Sequence, residues 1–262
     1  MQQIMKKITE WFDQYAAGFY GDDSYVNANI RLKENHSRRT CREMRYLARQ
    51  LGLDPRRTAI AEIIGLLHDV GRFEQFKKFR TYCDAKSTEH CLLSVEVLRV
   101  TDVLQILDQD TGTIILTAIE HHGKKELPAG LNGDSLLMAR MIRDADKLDA
   151  LFVMVQNYTR YYADPDNFPF EVELPEQPGY SKDVLQAVLQ QRQVDYRQLK
   201  NLNDVKLLNL AWAYDVNFTP TLNRILDRRL LETIGGFLPD TPETQMAKQT
   251  VMDYVISRVK SG

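Results

Sequence analysis

The stretch DPRRTAIAEIIGLLHDVG, residues 54–71, decides how this chain reads. Asp54 ahead of Pro55 is a helix start: the carboxylate accepts from first-turn amides, and proline suits the first helical position. Ile60, Ile63, Ile64 and Leu67 then recur at the spacing of a buried helix, with Gly71 as its stop. At the far end stand His68 and Asp69. Consecutive helical residues project about 100° apart, so both side chains reach one cavity only near a helix terminus, which the following VGR supplies.

Outward from this segment, all five histidines fall into one ordered series: His36, His68, His90 and the pair His121 and His122. The second pair repeats the logic of the first, since IEHHG ends in Gly123. Downstream, MIRDADKLDALF anchors itself in a core through Met141, Ile142, Ala145 and Leu148. Asp146 and Asp149 share a helix face there, and Asp144 projects elsewhere. An aspartate in such a stretch costs free energy unless paired or bound to metal; a salt bridge is the alternative for Asp146. Imidazole and carboxylate are the donors that intermediate divalent metals prefer, and a catalytic site takes three or four of them while leaving one position for water. The series reads as a metal site. Cys91, beside His90, is expected to be a small buried apolar side chain rather than a ligand.

The rest of the chain is also helical in pattern. Helices are expected over 3–18, 36–51, 88–99, 101–121, 135–160, 181–200, 204–215, 219–234 and 241–259, an all-α fold with almost no strand alternation. Residues 163–180 hold four of the nine prolines and cannot form one helix. Their FPFEVEL alternates as an edge strand or extended arm would, and the segment reads equally as a linker or as a lid or oligomer arm. Three parts result: a metal-binding core over 1–160, a proline-rich connection over 161–180 and a helical extension over 181–262.

With 34 Lys and Arg against 36 Asp and Glu, the net charge of −2 offers no field for extended nucleic acid or an anionic membrane. No apolar run approaches the ~20 residues of a membrane span. Three cysteines without CxxC spacing, and no secretory signal, place the chain in a reducing cytoplasm as an expectation.

The order His36, His68-Asp69, Asp146 resembles the signature of the HD superfamily of metal-dependent phosphohydrolases, all-helical proteins. His90, His121 and His122 extend the resemblance to members with two metals, including cyclic-nucleotide and HD-GYP phosphodiesterases. HDVGRFEQF is similar to the HDIGK element of the latter, with Arg72 in the lysine position. The likeness covers roughly residues 30–155. It implies that His36, His68, Asp69 and Asp146 hold one divalent ion and His90, His121 and His122 a second, with Asp69 bridging. Mn, Fe, Co, Ni and Zn all suit such donors. No GYP-like tripeptide follows His122, where the chain reads GKKELPAG, so a cyclic-di-GMP activity is not implied.

The resemblance further implies hydrolysis of a phosphate ester or anhydride, in a nucleotide or other small phosphorylated molecule, by metal-activated hydroxide. Asp69 and Arg72 are the expected catalytic pair. Arg72 and Lys124 are expected at phosphate, and Lys147 against a ligand carboxylate; Lys77, Lys78 and Lys125 read as a solvated face. Asp149 is a candidate for orienting a ligand, and Tyr82 and Asp84 for lining the pocket. Two other functions fit the series: an HD-type di-iron oxygenase, and a non-catalytic metal-binding sensor. Homo-oligomerisation stays open.

Overall fold

A computed structural model describes residues 1–165 and 174–261. Among these residues the chain is α-helical, with short 3-10 turns and no strand. It divides into two compact units, Met1–Asp146 and Lys147–Gly262. The boundary between these units falls inside a helix. Of the proposed edge strand FPFEVEL, only Leu174 lies within the described residues.

The first unit is built from α1 (Gln2–Ala17), α2 (Ser24–Gln50), α3 (Pro55–Leu67), α4 (Gly71–Phe79), α5 (His90–Val100) and α6 (Gln109–His121), and it includes the first half of α7 (Gly133–Ala163). Helix α2 begins far upstream of His36, because Asp23 caps it by accepting from the Val26 amide at 3.0 Å. His36 is thus held mid-helix. Helix α3 is capped as its sequence implies, Asp54 accepting from the amides of Arg56 and Arg57, and its isoleucines and leucines are buried. It lies against α2 so closely that a Cβ on Gly65 would stand 2.8 Å from the Cys41 Cα.

Gly71 does not end α3. The helix stops at Leu67, residues 68–70 form a turn, and Gly71 opens α4. Its amide donates to Ser94 Oγ at 3.0 Å, and a Cβ there would meet the Ser94 backbone nitrogen at 2.5 Å. The glycine is needed where α4 crosses α5, not as a helix stop. His68 still closes the last turn of α3, its amide donating to the Ile64 carbonyl at 2.9 Å, and Asp69 follows in the turn between α3 and α4.

Three expected helices are broken at non-glycine residues in the left-handed region. The one over 101–121 is interrupted by Asp102 (φ 54), and α6 starts afresh where Asp108 caps Thr111. Expected over 181–200, α8 (Lys182–Leu189) ends before Gln191 (φ 55). The helix over 219–234 is two, α10 (Thr219–Asp227) and α11 (Leu230–Gly236), parted by Arg229 (φ 51). None of these breaks carries the glycine or proline that marks a stop in a sequence.

The second unit packs α8, α9 (Leu202–Ala211), α10, α11 and α12 (Pro242–Ser261) with the latter half of α7 around Leu148, Leu151, Tyr158, Leu207, Ile225, Ile234 and Val251. Every residue of α9 is buried. Residues 175–179 are tied to its start, where Asn203 donates to the carbonyls of Gln177 and Gly179. No described helix is long and apolar enough to cross a membrane.

Candidate metal centre

Five elements of the first unit deliver donors to one place: α2 brings His36, the turn after α3 brings His68 and Asp69, α5 brings His90, the end of α6 brings His122, and α7 brings Asp146. His36 Nε2 lies 3.1 Å from His68 Nε2 and 3.1 Å from Asp146 Oδ1. His90 Nε2 lies 3.2 Å from His122 Nε2. Between the two groups stands Asp69, only 3% exposed at its side chain. Its Oδ2 is 3.5 Å from His36 Nε2 and 3.7 Å from His68 Nε2, while its Oδ1 is 3.6 Å from His122 Nε2 and 3.8 Å from His90 Nε2. One carboxylate therefore presents a different oxygen to each group.

These donors fit divalent metal. His68 Nδ1 is 3.0 Å from the Gly65 carbonyl, His122 Nδ1 is 2.7 Å from the Ile119 carbonyl, and His90 Nδ1 is 2.6 Å from Asp84 Oδ2. Those oxygens can only accept, so each Nδ1 donates, and the neutral ring turns the lone pair of Nε2 inward. Two such lone pairs, on His90 and His122, face each other at 3.2 Å and need a cation between them. Asp69 Oδ1 is buried without a hydrogen-bond partner. The separations within each group also match a coordination polyhedron, since metal–nitrogen bonds of about 2.1 Å give tetrahedral edges of about 3.4 Å. The centre opens at Asp146, whose side chain is 29% exposed.

The electrostatics follow from this crowding. Burial alone would raise Asp69, but Lys33, His68 and His122 hold its carboxyl well below the usual range. Asp146 is held low in the same way, against burial, by His36 and His68. Burial depresses His68, and Asp69 and Asp146 only partly offset it. His122 behaves oppositely. Despite burial, Cys91 and Asp69 lift its imidazolium well above the usual range.

Some neighbours are those the sequence suggests, and others are not. Arg72 reaches Asp69 only through Nε, 3.6 Å from Oδ1; its Nη1 donates to Gln75 Oε1, the Tyr82 carbonyl and Asp84 Oδ1. Asp84 in turn orients His90, and with burial opposed by His90, Arg72 and Gln75 its carboxyl sits at about 2. The ligand carboxylate is paired not by Lys147 but by Lys33, whose Nζ donates to Asp69 Oδ2 at 2.8 Å. Lys33 lies one turn before His36 on the same face of α2, a spacing that carries no motif. Lys147 follows Asp146 on a helix and so points away from it; it pairs with Asp215 at 2.6 Å in the second unit.

Lys124 pairs with exposed Glu89. Arg143, buried, donates to the carbonyls of His122, Lys124 and Lys125 and clamps the loop behind His122. Lys77 and Lys78 lie over the rings of Phe19 and Phe79. Asp149 is buried in the second unit. His121 joins none of the ligand groups among the described residues. Unlike Asp69, which sits in a turn, it ends a regular helix, and the orientation that aims His122 inward turns its neighbour aside. The position is filled by Cys91, whose Sγ is 3.4 Å from His90 Nε2 and 3.9 Å from His122 Nε2. Burial would raise its thiol, yet His122 and His90 bring it down to about 6.

Residues 34–151 match the HD domain family. No curated protein and no solved structure matches the chain. The matched segment contains every converging donor from His36 to Asp146, so residues 34–151 of this chain are an HD domain, the mark of a superfamily of metal-dependent hydrolases.

Proposed function

We propose that this protein is a two-metal phosphohydrolase acting on a phosphate ester or anhydride of a nucleotide or another small phosphorylated molecule. The observation that carries the reading is the split carboxylate of Asp69, with Oδ2 toward His36, His68 and Asp146 and Oδ1 toward His90 and His122. Divalent ions in the two groups would activate water and neutralise charge on the phosphoryl oxygens.

The chain's own residues prepare that chemistry. Gly65, Ile119 and Asp84 fix three imidazoles with Nε2 inward, so no reorientation accompanies binding. Lys33 balances the buried charge of Asp69 from the Oδ2 side, and Arg72 does so from the Oδ1 side. Arg72 serves mainly to hold Asp84 and the Tyr82 carbonyl in place. Substrate phosphate would enter past Asp146, the half-buried carboxylate, and Lys124 is a cation paired with Glu89, a side chain partly open to solvent.

The test is a panel of phosphomonoesters, diesters, nucleotides and pyrophosphate with the full chain loaded separately with Mn, Fe, Co, Ni and Zn. Release of phosphate or nucleotide from some member, abolished by Asp69→Ala, is the expected result. No turnover with any metal, or turnover that survives Asp69→Ala, would reject the reading.

A further inference from the structure

Cys91 is buried to 1% exposure beside His90, the first residue of α5. Its Sγ faces both inward nitrogens of the second ligand group, and the three atoms lie within 4.8 Å of one another. A tetrahedral ion with a sulfur bond near 2.3 Å and nitrogen bonds near 2.1 Å would set sulfur–nitrogen edges of about 3.6 Å; the observed separations bracket that value. Asp69 Oδ1, buried and without a hydrogen-bond partner, faces the same two nitrogens. The loop behind the sulfur is shaped to it. A Cβ on Gly123 would stand 2.9 Å from Cys91 Sγ and 3.1 Å from His90 Cε1, so only glycine lets the thiol and the ring share this corner.

We infer that Cys91 is a thiolate ligand of the second metal, completing with His90, His122 and Asp69 Oδ1 a mixed sulfur, nitrogen and oxygen set. The inference rests on the two-metal reading above. On binding, the sulfur–hydrogen bond is replaced by a sulfur–metal bond and the proton leaves to solvent. The consequence is selectivity within the dinuclear pair. The His36, His68, Asp146 side is all nitrogen and oxygen and discriminates less against Mn, whereas a thiolate strengthens the preference for Zn, Co or Fe over Mn. The two positions would then differ in metal preference although one carboxylate joins them.

Cobalt titration of the metal-depleted full chain tests this. A thiolate bound to Co(II) gives a near-ultraviolet charge-transfer band that nitrogen and oxygen donors do not. The band is expected to grow with one of two cobalt equivalents, to persist in a Cys41→Ala/Cys83→Ser variant whose only thiol is Cys91, and to vanish in Cys91→Ser. That last variant should also bind one equivalent roughly tenfold or more weakly. Two bound cobalt ions without the band, or a band that survives Cys91→Ser, would overturn the ligand assignment while leaving a two-metal hydrolase intact. Should Cys91→Ser not fold, absence of the band from the Cys41→Ala/Cys83→Ser variant overturns it equally. Uptake of a single cobalt would overturn it through its premise, and inactivity on every phosphate compound with the band present would reject only the proposed function.

Discussion

Asp69 and His122 show what a single residue can decide here. Each sits where a helix has ended, which lets a neighbour in sequence point elsewhere or converge as the local backbone dictates. If the proposed two-metal site holds, His122→Ala is expected to remove one of the two ions, while His121→Ala keeps both; elemental analysis of the two purified variants gives the stoichiometry, and equal losses would contradict the arrangement. Asp84 acts one step back, through His90 Nδ1. Because such outer carboxylates typically carry 10–100-fold in metal affinity, Asp84→Asn should weaken one equivalent by roughly that factor with little change in the other, read by competition with a chelating dye. The metal-free protein should also take up metal more tightly as pH rises through and above neutrality. The raised His122 imidazolium holds a proton that metal must displace, so acidification competes with loading.

At the scale of elements, backbone approach matters more than propensity. Helices α2 and α3 carry His36 and His68, and they touch where Gly65 meets Cys41 and Met44. Gly65→Ala puts a methyl 2.8 Å from a Cα that cannot yield, and should destabilise the protein by about 1–3 kcal/mol despite alanine's higher helix propensity; thermal melts decide the sign. The converse holds at Arg229, exposed and left-handed between α10 and α11. Relief of a left-handed penalty of about 1–2 kcal/mol outweighs the added freedom of the unfolded chain, so Arg229→Gly should stabilise by up to about 1 kcal/mol. A lower melting temperature would show that the kink is not strained. Both positions explain why helix boundaries were only partly legible. Periodicity located the helices and Asp54 placed a cap, but Asp102, Gln191 and Arg229 break helices with no local signal, because the turn is imposed by packing on either side.

The two units of the molecule carry different chemistry and should answer to different conditions. The candidate metal ligands lie in the first, so chelation should lower its stability by mass action, about 2.7 kcal/mol when free metal had stood at 100 times its dissociation constant. The second unit buries Lys206, whose Nζ donates to Tyr162 Oη, Asn203 Oδ1 and the Phe237 carbonyl. Burial brings its ammonium down from 10.5 to about 8. Between those values the unfolded chain holds the proton that the folded one has released, so stability rises with pH from about 8 toward 10.5. Lys206→Met should flatten that rise. Hydrogen exchange read segment by segment separates the responses, and a chelator effect confined to 147–261 would contradict the assignment.

The sequence by itself determined the helical class, through apolar spacing that buried helices satisfy, and it supplied the candidate donor types, although only four of its five histidines join the ligand groups among the described residues. It also named the residues of the HD domain. Only the tertiary structure decided which donors meet. Lys33 on Asp69, Asp84 behind His90, and Cys91 against His90 and His122 are contacts set by how α2, the residue 80–90 loop, α5 and α6 converge. His121 and Lys147 fall away although each adjoins a ligand. The physical reason is directional: a sequence fixes which groups are available, whereas coordination needs lone pairs aimed to within a fraction of an ångström, and that aim comes from the backbone ends and carbonyls that hold each ring.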